Sequence, residues 1–284
     1  MSKQINNNNL QPCLKWVGGK RQLLKQLLPL IPSFDTYCEP FLGGGAMLFA
    51  LHPQKAIVGD NNTELINVYS VIKNDLTNLI ESLKQHKNEA DYFYNIRKLD
   101  RDPVNYTKLT KLQLASRFIY LNKTCYNGLY RVNNAGQLNA PFGRYKNPNI
   151  VNDSVIKALN TYFNENDILF NAGTYKDTVS KIDTSNCNKI FIYLDPPYDP
   201  VSGTASFTGY TANGFSREDQ EELKQTCDNL NRAGIKFMLS NSDTKFINEL
   251  YKDYNILKLQ AKRSINSNGN KRGNVGEVVV RNYE

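Results

Sequence analysis

Short apolar runs alternate with amphipathic stretches at both ends of this 284-residue chain. Residues 189–194 are β-branched, aromatic or aliphatic after the first lysine, a pattern typical of a strand that is buried on both faces. Similar runs predict strands over residues 37–41, 56–60, 168–170, 235–239, 256–259 and 277–280. Helical spacing and capping signals predict helices over residues 22–31, 46–51, 216–232 and 244–251. This alternation predicts an α/β fold.

The pattern changes between residues 63 and 167. Apolar side chains recur there at helical spacing without further strand–helix alternation, which indicates packed helices. We therefore expect one domain formed by residues 1–62 and 168–284, with an inserted domain of residues 63–167. Inside the insert, two segments rich in aromatic, basic and asparagine residues flank Ala135-Gly136, which predicts a β-hairpin.

Lys and Arg outnumber Asp and Glu by 35 to 27, which gives a formal charge of +8 and a pI near 9.1. Residues 61–160 carry 14 basic and 8 acidic side chains, so most of the excess charge falls in the helical insert. A basic surface of this kind favours a polyanionic partner, with nucleic acid first. The plainer alternative is that the positive charge serves solubility.

Cysteine and histidine are too scattered to indicate a metal site or a disulfide framework. The five cysteines form no CxxC pair, and the chain has only two histidines. The polar start of the chain, residues 1–11, lacks the apolar core of a signal peptide. No apolar run is long enough to span a membrane. We expect a soluble, cytoplasmic protein without a metal, without a membrane and without an obligate protein partner.

The motif Asp195-Pro196-Pro197-Tyr198 directly follows the apolar run of residues 189–194. The prolines end the strand, because neither donates to a β-ladder and each fixes φ. A carboxylate and a carbonyl therefore lie together at the carboxyl end of a strand, where open α/β sheets bind ligands. An exocyclic amine that donates its hydrogens to Asp195 and Pro196 shares its lone pair less with its ring, so it attacks an electrophile more readily. Tyr198 offers a ring on which a base can stack. The plainer alternative is a strand end with a capping Asp.

Two glycine segments precede predicted helices. Gly18-Gly19 stands before Lys20, and residues 41–45 join a strand to a helix through three glycines. A strand, a glycine loop and a helix in this order form a cradle for a nucleotide-like cofactor. Asp60 ends the following strand, where an acid either accepts hydrogen bonds from ribose hydroxyls or caps the next helix. Neither glycine segment has the spacing of a Walker loop or of a dinucleotide fingerprint.

Taken in order, the segments LKWVGGK, CEPFLGGG and YLDPPY, with the helical insert before the last, resemble the Dam-type DNA adenine-N6 methyltransferases. The resemblance covers nearly the whole chain. It implies a Rossmann-like sheet with a reversed last strand and a DNA-recognition insert. It also implies S-adenosylmethionine (SAM) as methyl donor and double-stranded DNA containing GATC as target. A restriction-modification system is the expected setting.

The resemblance also implies a role for individual residues. Asp195, Pro196, Pro197 and Tyr198 would form the catalytic motif. The cofactor would contact Trp16, Lys20, Glu39, Pro40, Phe41, Gly43, Gly45, Asp60 and Asp195. Lys15 and Arg131 match the positions that contact guanine, and Tyr126 matches the aromatic residue that fills the hole left by the flipped adenine. The other base-contacting positions correspond to Asn127, Leu129, Pro141 and Tyr145. The chain departs from some members at Thr174-Tyr175, where they carry Asp then Phe.

Two alternatives remain at this point. The Asp-Pro pair would also suit another planar amine, such as cytosine N4 or a protein glutamine. The basic hairpin favours DNA over protein, and the motif order favours adenine over cytosine. A catalytically silent DNA-binding protein is the second alternative, and the intact motif and glycine loops argue against it.

Overall fold

The computed structural model describes residues 10–16, 18, 20–128, 130–133, 135–201, 214–262 and 274–284. These residues form one seven-stranded sheet with the order β3-β2-β1-β4-β5-β7-β6. The strands are β1 Thr36–Glu39, β2 Lys55–Asp60, β3 Asp167–Ala172, β4 Ile190–Leu194, β5 Lys236–Ser242, β6 Asn255–Lys262 and β7 Asn274–Arg281. Strands β1 to β5 pair in parallel, and β7 runs antiparallel to both of its neighbours. The reversed last strand is therefore confirmed.

Helices cover the sheet and fill the segment between β2 and β3. They are α1 Leu24–Leu27, α2 Ala46–Leu51, α3 Thr63–Asn74, α4 Leu76–Lys84, α5 Ala90–Arg97, α6 Pro103–Tyr106, α7 Lys111–Thr124, α8 Asp153–Glu165, α9 Tyr175–Val179, α10 Arg217–Arg232 and α11 Lys245–Leu250. Helix α10 begins after Ser216, as predicted. The Ser216 and Asp219 side chains there each bond to the other residue's backbone N–H in a capping box.

The helix predicted over residues 22–31 is wrong in length. Only Leu24–Leu27 is α-helical, between the 3₁₀ turns Lys20–Gln22 and Leu28–Leu30. Pro29 lies inside the predicted span, where it has no N–H to donate and its ring disfavours a continuing α-helix. The apolar spacing did not reveal the break, because Leu23 and Leu27 before it are buried and Leu30 and Ile31 after it pack against the same core.

Strand β4 is buried over its whole length, which confirms the prediction for that run. Phe191 and Tyr193 belong to a core that also takes side chains from α3, α7 and α8. Ile190, Ile192 and Leu194 belong to the core on the other side, with α10 and α11. Helices from the middle of the sequence thus pack directly on the sheet. They hold its central strand in place from one face.

The predicted hairpin forms, but its pairing is short. Its two sides meet in single antiparallel bridges, Val132 with Leu138 and Cys125 with Phe142. Gly136 has φ +73° and donates its N–H to the Asn133 carbonyl, so the turn lies where the glycine predicts. The hairpin therefore has little support from its own ladder and needs support from neighbouring helices.

That support comes from a buried ion pair. The Arg117 side chain on α7 is only 5% exposed, and its Nη2 lies 2.8 Å from Asp100 Oδ2. The same Asp100 oxygen accepts a hydrogen bond of 2.9 Å from the Leu138 N–H of the hairpin. A buried charge is costly unless it is paired and hydrogen-bonded. This network consequently fixes the hairpin to the helices.

No helix in the described ranges is long and apolar enough to cross a membrane. Across the same residues, no group of three or more His, Cys, Asp or Glu side chains is arranged to hold a metal ion.

Candidate active site and nucleic-acid interface

Three carboxylates meet at one edge of the sheet. Glu39 ends β1, Asp60 ends β2, and Asp195 follows the last residue of β4. Strands β2, β1 and β4 are adjacent and parallel, so their carboxyl ends lie at the same edge. The chain also changes direction across the sheet at β1, the position at which open α/β sheets bind their ligands. This acidic edge suits a cationic ligand.

Asp195 is ion-paired with Lys20. Lys20 Nζ lies 2.7 Å from Asp195 Oδ1 and donates a hydrogen bond of 2.9 Å to the Gly18 carbonyl. Burial raises the pKa of the Asp195 carboxyl, and the neighbouring Lys20 ammonium opposes that rise. Lys20 thus favours the ionised carboxylate, which can accept hydrogen bonds from an amine.

Tyr198 completes the motif with an aromatic ring beside the carboxylate. Lys20 Nζ lies over that ring, 4.7 Å from its centroid. The Tyr198 hydroxyl donates a hydrogen bond of 2.9 Å to Glu277 Oε2. Burial raises the pKa of this hydroxyl well above its usual value, so it stays a donor to Glu277. Reversed strand β7 carries Glu277, which pairs with Ser242 at the carboxyl end of β5.

The two proline carbonyls of the motif differ in their surroundings. The Pro197 carbonyl accepts a hydrogen bond of 2.8 Å from Gln220 Nε2. Among the residues the structure describes, no donor bonds to the Pro196 carbonyl. The carbonyl closer to Asp195 in the chain is therefore the one available to an incoming amine.

Glu39 and Asp60 already accept hydrogen bonds from the protein. Glu39 Oε2 accepts from the Tyr37 hydroxyl at 2.9 Å and from the Leu48 N–H at 3.1 Å. Burial raises the pKa of Glu39 well above its usual value. Asp60 accepts from the Gly43 and Asn62 N–H groups, both at 2.9 Å, and burial raises its pKa as well. Glu39 thus joins the end of β1 to α2. Asp60 joins the end of β2 to the glycine loop and to Asn62, which precedes α3.

Trp16 lies on the glycine loop. A Cβ added at Gly43 would lie 2.8 Å from Trp16 Cδ1 and Nε1, so a larger residue there would collide with the indole. Gly43 and Gly45 also have φ of +49° and +70°, which favours glycine at both positions. The Trp16 ring stacks on Tyr130, with 5.7 Å between centroids. Trp16 therefore connects the glycine loop to the hairpin.

The rest of the predicted cofactor segment lies beside an aromatic cluster. Pro40 is buried, and the half-buried Phe41 ring stacks on Tyr175 at 5.4 Å. Thr174 caps α9 through the N–H of Asp177. The Thr174-Tyr175 pair thus contributes a helix cap and a ring packed on Phe41.

A second group of predicted residues lies on or against the hairpin. Lys15 is held by Asn122, which bonds to its N–H at 2.9 Å and to its carbonyl at 2.8 Å. Lys15 Nζ lies 4.5 Å from the centre of the Tyr145 ring. Arg131 Nε donates a hydrogen bond of 2.7 Å to Asn139 Oδ1. The structure thus places both predicted guanine-contacting residues in the same region.

Tyr126 exposes an aromatic ring next to the Cys125–Phe142 bridge, at the end of the hairpin away from its turn. Tyr126 is 56% exposed, and its N–H donates to the Pro141 carbonyl at 2.8 Å. Asn127 follows with φ +56°, and Gly128 with φ +63° packs against the Lys15 side chain. Leu129 lies outside the described residues. The other six predicted DNA contacts belong to the hairpin or to the segment docked on it.

The sequence did not identify the residues that hydrogen-bond to the motif, to its neighbours and to the predicted DNA-contacting residues. They are Asn122, Asn139, Gln220, Asn241 and Glu277. A polar residue inside an apolar strand is the available signal for two of them, since Asn241 lies in β5 and Glu277 in β7.

Comparison with known proteins then decides the family. Residues 16–265 match the model of the D12 class N6 adenine-specific DNA methyltransferases. The chain belongs to this family. It is 42% identical to a type II methyltransferase of Lactococcus lactis subsp. cremoris, over 99% of this chain and 98% of the relative. It is 38% identical to a type II methyltransferase of Methanocaldococcus jannaschii, over 96% and 99%. With the DNA adenine methylase of Escherichia coli it shares 32% identity, over 94% and 93%.

The protein is therefore an adenine-specific DNA methyltransferase, as the motif order predicted. Its family implies SAM as the methyl donor. The residues at the sheet edge fit that molecule. Asp60 and Asp195 are carboxylates at the carboxyl ends of the strands on either side of β1, and Gly43 and Gly45 lie in the loop that follows β1.

Proposed function

We propose that this D12 methyltransferase methylates N6 of the adenine in double-stranded GATC. The observation that supports the amine site is the Asp195 carboxylate beside Tyr198, with a proline carbonyl free of described donors next to it. The resemblance to the Dam-type enzymes, in which Lys15 and Arg131 match positions that contact guanine, supports the choice of sequence.

The residues of the motif would act on the amine. Adenine N6 is a poor nucleophile, because its lone pair is shared with the ring. Hydrogen bonds from its hydrogens to Asp195 and to the Pro196 carbonyl favour a more tetrahedral nitrogen with a localised lone pair. SAM supplies a methyl group that its sulfonium already makes electrophilic. Catalysis then consists of orientation and of electrostatic stabilisation by fixed groups.

The cofactor would lie along the acidic edge, in contact with Trp16, Lys20, the segment of residues 39–45, and Asp60. Asp60 holds the Gly43 N–H, so its contribution to binding is partly indirect, through the shape of the glycine loop. Trp16 contributes in the same way, because its indole packs on Gly43.

The region between residues 63 and 167 would read the DNA. Adenine must leave the duplex before it can reach Asp195, at a cost of roughly a few kcal/mol. The Tyr126 ring, which is 56% exposed, would stack in the vacated space, and phosphate contacts from basic side chains would offset the cost of extrusion. Lys15, Asn127, Leu129, Arg131, Pro141 and Tyr145 would contact the bases of the site.

A restriction-modification system is the proposed setting. Two relatives that align over almost their full length are named type II methyltransferases. The proposal assigns this chain the same kind of role.

Label transfer from tritiated SAM tests this function. We expect label in a duplex with one unmethylated GATC, and none in the same duplex already methylated at adenine N6 on both strands. Label in both duplexes would contradict the proposed target atom or sequence.

The proposed cofactor site gives a separate prediction. Trp16→Ala and Asp60→Ala should weaken SAM binding more than DNA binding, because the two side chains support the glycine loop rather than the exposed part of the hairpin. Calorimetry with SAM and a DNA-binding titration measure the two affinities. Tyr126→Ala serves as the matched control, with the opposite preference expected. Unchanged SAM affinity in both variants would remove Trp16 and Asp60 from the cofactor site.

A further inference from the structure

Two buried side-chain amides hydrogen-bond to the backbone of the Asp195 motif and of the residue that follows it. Gln220 on α10 is 1% exposed and Asn241 on β5 is fully buried. Gln220 Nε2 donates to the Pro197 carbonyl at 2.8 Å, and Asn241 Nδ2 donates to Gln220 Oε1 at 3.1 Å. Asn241 Oδ1 accepts from the Asp199 N–H at 3.0 Å and from the Ser242 N–H at 2.8 Å. These bonds connect the motif to the end of the neighbouring strand.

The donor and the acceptor of each hydrogen bond in this network follow from its chemistry. The Pro197 carbonyl only accepts, so Gln220 must present its NH₂ to it and its oxygen to Asn241. Asn241 must then present its own NH₂ to Gln220, which leaves its oxygen for the two backbone N–H groups. Reversing either amide would place donor against donor or acceptor against acceptor. The network therefore needs amides, and a carboxylate at position 220 would face the Pro197 carbonyl without a hydrogen.

The prolines of the motif explain why such support is needed. A proline ring fixes φ but leaves ψ free, and ψ sets the direction of the carbonyl. Gln220 holds the Pro197 carbonyl, and Asn241 holds the N–H of Asp199. Strand β4 holds the chain up to Leu194 on the other side. The Pro196 carbonyl lies between two fixed points, so its direction relative to Asp195 is set by them.

We propose that Gln220 and Asn241 are positioning residues for methyl transfer, which fix the Pro196 carbonyl against Asp195 so that both accept from the same amine. The inference rests on the proposed role of Asp195 and Pro196. Neither amide needs to touch the cofactor or the base to act in this way.

The test is single-turnover methylation of GATC DNA by preformed enzyme–SAM–DNA complexes. Gln220→Leu removes the bond to Pro197, and Gln220→Glu keeps the side-chain size while replacing the donor. We expect each to lower the single-turnover rate about 10- to 100-fold, as small misplacements of reacting groups do. SAM and DNA affinities should change by less than about threefold.

Asn282 provides the matched control. Its side chain accepts from the Phe237 N–H at 2.8 Å and donates to the Ile235 carbonyl at 2.9 Å, at the opposite end of β5. Asn282→Leu should lower the melting temperature by about as much as Gln220→Leu, while its single-turnover rate stays at the wild-type value. If Gln220→Leu fails to fold, Gln220→Glu and Asn241→Asp give the rate measurement.

Two results would overturn the inference. One is a wild-type single-turnover rate in the folded Gln220 variants. The other is a loss of rate in Asn282→Leu equal to that in Gln220→Leu, since that would show a general effect of lower stability. Failure of the proposed function is a different result, because wild-type enzyme would then place no methyl group on the GATC adenine.

Discussion

Asp195→Asn is expected to lower the single-turnover rate of methyl transfer by about 10²- to 10³-fold or more, the range for loss of one group that stabilises charge in a transition state. The amide loses the charged acceptor and turns a donor toward the amine. Asn retains an oxygen for Lys20, whose side chain is only 6% exposed, and thereby limits damage to the fold. Rapid-quench measurement with saturating SAM and GATC DNA gives the rate.

Lys20 supplies the control for this variant. Removing one partner of a buried ion pair leaves an uncompensated charge and destabilises a protein by about 3–5 kcal/mol. The exposure of Asp195, with 20% of its side-chain surface accessible, reduces that cost here. The double variant Lys20→Met, Asp195→Asn carries no unpaired ammonium and should be as inactive as Asp195→Asn. Near-wild-type turnover in either variant would remove Asp195 from its proposed role.

Arg131→Ala is expected to reduce discrimination at one G·C pair of GATC. Arginine can donate two hydrogen bonds to guanine O6 and N7. In the structure, Arg131 Nε bonds to Asn139, so the outer guanidinium nitrogens are the ones left for a base. No carboxylate in the described part of the chain forms an ion pair with Arg131. Loss of the base contact should cost about 1–3 kcal/mol at one position, or about 5- to 150-fold in relative kcat/KM.

The measurement compares kcat/KM for GATC with kcat/KM for every single-base variant of the site. Lys146→Ala is the matched control, because Lys146 is an exposed cation near the end of the same hairpin segment. Loss of a lysine that contacts only phosphate should lower kcat/KM for all sequences alike and reduce the dependence of binding on salt concentration. If Arg131→Ala lowers kcat/KM for all sites by the same factor, Arg131 contacts the DNA backbone and its assignment to a guanine is wrong.

Local pattern was sufficient for the parts of the fold that depend on neighbouring residues. The run ending at Leu194 predicted a strand buried on both faces, and Ser216 predicted the start of α10. Asp60 and Asp195 were predicted at strand ends, whereas their approach to Glu39 at one edge of the sheet depends on the strand order, which local pattern does not give. Pro29 was visible in the sequence, but the regular spacing of the leucines favoured one continuous helix over residues 22–31.

The contacts that position the site could not be predicted, because their partners are far apart in sequence. Gln220 reaches back to Pro197, and the Tyr198 hydroxyl reaches Glu277 on β7, which is separated from β4 by β5. Lys20 was expected at the cofactor, and its ion pair with Asp195 joins two residues that are far apart in the sequence. Side-chain pairs of this kind follow from tertiary packing, which periodicity does not encode.

Unbiased mapping of methylated bases tests whether this enzyme methylates adenine N6 in GATC. DNA of random sequence is incubated with wild-type enzyme and SAM, and the identity and sequence context of each modified base are read out. We expect N6-methyladenine confined to GATC on both strands. N4-methylcytosine, N6-methyladenine in another sequence context, or no modified base would contradict it.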